Sequence, residues 1–178
     1  MQCALESSAP RRFPIAMSGS RRKDMSRIDP QAAPSGSGSS YPAPFDQPCR
    51  GRSWHRLGVA AGLTHLGVNL VRLTPGAWSS QRHWHTHEDE FVYVLSGEVV
   101  LVTDDGEEVL VAGDSVGFPA GVRNGHCLQN RSAQDVTFLV AGNRSDEDGG
   151  EYSDIDMAFK PGRYSGGGGY CHKDGSPY

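Results

Sequence analysis

The sequence predicts an all-β fold of sandwich, jelly-roll or barrel type, and three observations carry that expectation. Between about residues 52 and 144 the chain breaks into short runs rich in β-branched and aromatic residues: SWHRLG, GVNLVRL, EFVYVL, EVVLVT, EEVLVAG, GHCLQN and DVTFLVAG. Turn signals (PG, SG, DDG, AGD and PAG) interrupt these runs about every eight to twelve residues, the spacing of packed antiparallel strands. Helical periodicity is scarce, with VAAGLTHL at residues 59–66 the one weak candidate.

A chain of 178 residues suits one domain. Residues 1–48 are rich in Ser, Pro, Gly, Ala and Arg and hold no apolar period of 2 or 3.6. Such a segment buries too little apolar surface to offset its ordering entropy, so it is expected to be mostly disordered, or ordered only against a partner. Residues 49–145 are expected to form the barrel, and residues 146–178 a C-terminal arm whose polyglycine run links two short pieces. Met17 and Met25 are alternative starts, and part of the first 24 residues is expected to be an over-extended gene start.

Net charge is -4 and the central region has no basic run, which points away from nucleic acid and toward a small-molecule partner. No apolar run reaches the roughly 20 residues of a membrane span, and no apolar stretch of a secretion signal follows the N-terminus. A cytoplasmic location with no membrane partner is therefore expected. The four cysteines, Cys3, Cys49, Cys127 and Cys171, lack CxxC spacing and are expected to be reduced.

Strand alternation gives one hairpin in detail. With Glu90 facing inward, Val92 and Val94 follow it to the inside, and Phe91, Tyr93 and Leu95 face out. The next run, Val99 to Val102, is apolar on both faces. Something must cover the outer apolar face, and a homodimer is the expectation, with the terminal arms as the alternative cover.

The stretch QRHWHTHEDEF, residues 81–91, sets histidines at alternate positions and then three acids. His83, His85, Glu90 and Gly97 carry the spacing of the first motif of the cupin superfamily; its leading glycine resembles Gly76, one residue further out than usual. GDSVGFPAGVRNGHCLQN resembles the second motif through Gly113, Pro119, Gly121, His126 and Asn130, with two extra residues before His126. An even insertion preserves side-chain parity, so His126 can still face inward; Asn124 stands at the usual distance but is a poor ligand for a transition metal. The chain most resembles small bacterial single-domain cupins described as sugar-phosphate-isomerase-like.

That resemblance implies a cupin-type double-stranded β-helix, a jelly-roll barrel with extended terminal arms. It implies His83, His85, Glu90 and His126 as ligands of one divalent transition metal ion (Fe, Mn, Ni, Co, Cu or Zn). The chemistry agrees, because histidines two apart on a strand share a face, and three neutral imidazoles with a carboxylate suit such ions and leave positions open for substrate.

His87 falls outside the family spacing and is read as a turn residue, with a ligand or catalytic-base role as the sharper alternative. Glu88 and Asp89 are expected to be solvent-facing turn acids. Asn130 is a candidate substrate contact or a turn-fixing residue, and Arg123 and Arg72 are candidate anion contacts. Tyr93 and Trp84 are expected on the outer face and Cys127 in the core; His55, His65 and His172 are taken as structural or exposed. Three functions fit: isomerisation of a small polar metabolite with Glu90 or His87 moving a proton, a metal-dependent dioxygenase, or a non-catalytic small-molecule binder. The first needs cationic groups for a phosphate, and the central sequence offers few lysines.

Overall fold

A computed structural model describes residues 27–178 of the chain. The alternative starts Met17 and Met25, and Cys3, lie outside the described residues. Twelve strands are seen among the described residues: β1 (Ser35–Ser37), β2 (Arg52–His55), β3 (Leu66–Leu73), β4 (Glu90–Ser96), β5 (Glu98–Thr103), β6 (Gly106–Val111), β7 (Ser115–Phe118), β8 (Cys127–Gln129), β9 (Val136–Asn143), β10 (Gly150–Glu151), β11 (Ala158–Phe159) and β12 (Tyr170–Cys171). A six-stranded sheet in the order β1-β2-β3-β9-β4-β7 faces a three-stranded sheet in the order β6-β5-β8, and the two enclose the core. All named strand pairs are antiparallel. Jelly-roll closure leaves few free edges, which suits strands as short and apolar as these.

The core is built by alternation. Val71 and Leu73 of β3, Val92 and Val94 of β4, Val99 and Leu101 of β5, Leu110 of β6, Leu128 of β8, and Val136 and Phe138 of β9 are buried together. On β4 the intervening Phe91, Tyr93 and Leu95 are exposed, as the period of 2 requires. Gly97, which joins β4 to β5, has φ 79°, and a Cβ there would stand 2.7 Å from the Asp135 carbonyl oxygen; turn conformation and close approach both demand glycine.

The helical turn α1 covers Leu57–Ala60, earlier than the expected 59–66. Gly62 (φ 74°) ends it, and Leu66 already belongs to β3, which pairs with β9 along its whole length. Packing in the sheet outweighs the weak helical period of that stretch.

Residues 27–48 depart from the expected disorder. β1 pairs through its main chain with β2, and Tyr41 and Phe45 pack with Tyr152, Ile155, Met157, Phe159 and Tyr170 of the C-terminal arm in a second small core. Backbone pairing and two aromatic side chains supply what the composition lacks. The polyglycine run is not a free link either: the N–H groups of Gly166, Gly167 and Gly168 donate to the Gly162 carbonyl in a tight turn that returns β12 to β11. No helix among the described residues is long and apolar enough to cross a membrane.

Candidate metal centre

The stretch from His83 to His85 is clamped from two sides. His83 and His126 exchange backbone hydrogen bonds at 3.2 and 2.9 Å, which sets the segment just before β8 against it. On the other side Trp84 N–H donates to the Glu151 carbonyl, and the ring of Tyr152 stacks on His83 at 5.6 Å. Glu90 opens β4 on its inner face, opposite Phe118 of β7, and the His126 ring lies flat on Phe118 with centroids 3.6 Å apart. These contacts bring His83, His85, Glu90 and His126 together, the four residues that the two motifs single out.

Hydrogen-bond chemistry fixes what the imidazoles offer one another. His83 Nδ1 lies 2.9 Å from the Gln81 carbonyl, which can only accept, so Nδ1 carries the proton. His85 Nδ1–H donates in the same way to the Asp148 carboxylate at 2.7 Å. Both Nε2 atoms are then left with lone pairs, and they face each other at 3.1 Å. Two nitrogens each about 2.1 Å from a common ion at a right angle stand about 3 Å apart, so this separation suits two ligands of one metal. His126 Nε2 is buried without a hydrogen-bond partner among the described residues, 3.7 Å from Glu90 Oε1. An orphaned nitrogen, two opposed lone pairs and a carboxylate make a donor set that fits a divalent transition metal.

Electrostatics agree. Burial, then the neighbouring His85 and His126, hold His83 well below the ordinary imidazole value, so it is neutral at neutral pH and able to ligate. Burial pushes the Glu90 carboxyl up, but the adjacent His126, His83 and His85 overcome it and bring it down to about 2. A carboxylate held that low is a firm ligand and a weak base near neutrality.

A second buried group, His85, Glu88 and Asp148, has potential ligand atoms within 4.8 Å of one another. Its carboxylate oxygens are already engaged. Asp148 accepts from His85 Nδ1 and from the backbone N–H of His87 and Glu88, while Glu88 accepts from Ser145 N–H and Tyr164 O–H and faces Arg163. The nitrogen of His85 left for an ion is Nε2, which points at His83. Glu88 is thus a buried anchor for the C-terminal arm and not the solvent-facing acid expected; its sequence neighbour Asp89 is exposed and caps Ala120 N–H.

The other candidates separate. His87 is exposed with Nδ1 on the Thr86 hydroxyl, because the turn after His85 breaks strand alternation, and it does not join the imidazole cluster. Asn130 is buried and spends its side chain on the turn that follows β8, donating to the Leu73 and Gln134 carbonyls and accepting from Ser132; it is a structural residue and not a substrate contact. Arg72 sits on the outer side of β3, paired with Asp135, in the row of Thr137, five positions along β9 from the row of Glu90 and roughly 17 Å away. It is no part of this site.

A cavity of about 260 Å³ borders His85 and His126 and is lined by Trp84, Phe118, Leu101 and Glu108 among others. Trp84, expected outside, is buried at its wall, with the Arg123 guanidinium 5.0 Å over its ring. Glu108 was not anticipated from its strand run. It pairs with the inward-facing Leu101 of β5 and shares parity with the buried Leu110, which places it, still exposed, at the edge of the cavity. That alternation from Leu110 was readable in EEVLV. Asn124 also lines the cavity, but its amide is spent on Asp104 and Asp105.

A family model described as the cupin domain matches residues 69–142. A crystal structure from Silicibacter pomeroyi DSS-3, described as a sugar phosphate isomerase from a cupin superfamily, is 46% identical over 86% of this chain and 96% of its own, with a TM-score of 0.82. A candidate sugar phosphate isomerase from Acidithiobacillus ferrooxidans is 32% identical over 68% of this chain and 76% of its own, with a TM-score of 0.62. The polyketide cyclase RemF from Streptomyces resistomycificus, 18% identical over 67% of this chain and 80% of its own, shares the fold at a TM-score of 0.53. No protein with a curated function matches the chain.

Proposed function

The chain belongs to the cupin superfamily, and from that premise we propose that it is a metal-dependent enzyme that isomerises a small polyhydroxylated carbonyl compound. His83, His85, Glu90 and His126 would hold one divalent transition metal. The observation that carries this reading is the pair of unprotonated Nε2 atoms facing each other at 3.1 Å beside the orphaned Nε2 of His126. A bound ion supplies Lewis acidity toward a carbonyl and its neighbouring hydroxyl. The names of the two similar isomerase structures support the choice of reaction class.

The chain's own residues would do the rest. Trp84, Leu101, Val116 and Phe118 give the cavity an apolar wall that limits water, and Glu108 faces it with a carboxylate that has no side-chain partner among the described residues. We assign to Glu108 the proton transfer at the carbon next to the carbonyl, a role that Glu90, held at about 2, fills poorly and that His87, which is outside the cavity lining, is not placed for. Arg123 on Trp84 is the cation assigned to a phosphate, since Arg82 is committed to Asp104 and Asp154, and Arg163 to Glu88 and Asp148.

The test is deuterium entry from solvent into candidate aldoses and ketoses. Wild type should label the carbon next to the carbonyl, and Glu108→Gln should label it about 10²-fold more slowly with unchanged metal content. Oxygen uptake with Fe(II) and no labelling would replace the isomerase with a dioxygenase. Neither reaction after a broad screen would leave a binding protein.

We also propose that a second copy covers the outer sheet face. Phe91, Tyr93 and Leu95 are exposed on β4, and the register carries the apolar surface across Leu139 and Ala141 of β9 to Val68 and Leu70 of β3, with Leu66 exposed at its end. Contiguous apolar faces of this kind mark protein interfaces.

A further inference from the structure

We propose that Asp148 is a positioning residue for the metal centre, holding His85 with its proton on Nδ1 and its Nε2 lone pair turned toward the ion, so that metal affinity depends on the docked C-terminal arm. The inference rests on His85 being a metal ligand.

Asp148 is fully buried, and each of its oxygens has a distinct task. Oδ2 takes the Nδ1–H of His85 at 2.7 Å, while Oδ1 takes the backbone N–H groups of His87 and Glu88 at 3.0 and 3.2 Å. The carboxylate therefore staples the turn that follows His85 and fixes the His85 ring in the same grip. It comes from the arm, far along the chain, and the arm is held there independently. Gly149 N–H donates to the Thr86 hydroxyl at 2.8 Å, Tyr164 O–H donates to Glu88 at 2.7 Å, and Phe159 sets its ring edge to face on His85 at 5.2 Å.

A carboxylate suits this position because it only accepts. An asparagine of the same shape carries one amide. If its NH₂ faces His85, Nδ1 must accept and the proton moves to Nε2, where it blocks an ion. If its oxygen faces His85 instead, the NH₂ is driven against two backbone N–H donors. Either way the hydrogen bond that orients a ligand histidine is lost or reversed, and removal of such a partner typically weakens metal binding about 10- to 100-fold.

The experiment uses full-length protein stripped of metal and titrated with Zn(II) against a chromophoric chelator, with the His85 tautomer read by ¹⁵N NMR of histidine-labelled protein. In metal-free wild type, His85 should carry its proton on Nδ1. Asp148→Asn should bind Zn(II) about 10- to 100-fold more weakly, and Asp148→Glu should recover part of the loss. A wild-type His85 protonated on Nε2 overturns the proposal whether or not the variants fold. Asp148→Asn with wild-type affinity and tautomer, while His126→Ala loses the metal, overturns the positioning role alone. Loss of Zn(II) in Asp148→Asn with full retention in His126→Ala overturns it too, because the ion would then sit on Asp148 itself. Wild type that binds no Zn(II), Co(II) or Fe(II) removes the metal reading and this inference with it.

Discussion

His83 lies half-buried against two other imidazoles and is held below the 6.5 of a free imidazole, which has a consequence for stability. Below pH 6.5 the unfolded chain binds a proton that the folded metal-free protein refuses, so acid favours unfolding. Thermal melts of metal-free protein should show the midpoint falling as pH drops from about 7.5 to about 5.5, with a shallower fall in His83→Gln. At this scale the spacing from His83 to Gly97 was enough to pick out His83, His85 and Glu90 among three histidines and three acids, and parity across an even insertion led to His126. Asp148 and Glu88 were not legible. Their role depends on an arm returning from residues 146–164, a contact with no local period. His87 was ambiguous because alternation carries no information past a turn.

Strands β4 to β6 and β9 were readable as runs of β-branched and aromatic residues set off by turn signals, not by a polar–apolar period of 2. The elements that were not readable are short or held by main-chain contacts: β1 is SGS, and β10, β11 and β12 span two residues each. The arm is held as tightly as the barrel at Gly150, where a Cβ would stand 2.0 Å from the Trp84 carbonyl oxygen and 2.6 Å from the Phe159 ring. Neither neighbour can move without lifting the arm from His83 and His85. Gly150→Ala should therefore lower the melting temperature and speed proteolysis within residues 146–178, while Gly166→Ala, with open space at its Cβ but φ 89°, should do so less. Equal effects would mean that turn strain costs as much as the close approach.

At the scale of the molecule, a closed two-sheet barrel presents an inner face to the candidate metal site and an outer face that nothing among the described residues covers. The described parts of the terminal arms pack on each other and around the histidines, so they leave Phe91, Tyr93 and Leu95 exposed. Sedimentation of the 19.2 kDa chain should give about twice that mass, and Phe91→Glu with Tyr93→Glu should halve it without changing metal content. A wild-type monomer would reject the dimer and leave the site untouched. The central claim, that His83, His85, Glu90 and His126 form one metal centre, is tested most directly by elemental analysis of protein purified without a histidine tag. The expected result is about one transition-metal ion per wild-type chain and near-complete loss in both His83→Ala and His126→Ala. Wild-type metal content in folded samples of those two variants would contradict it.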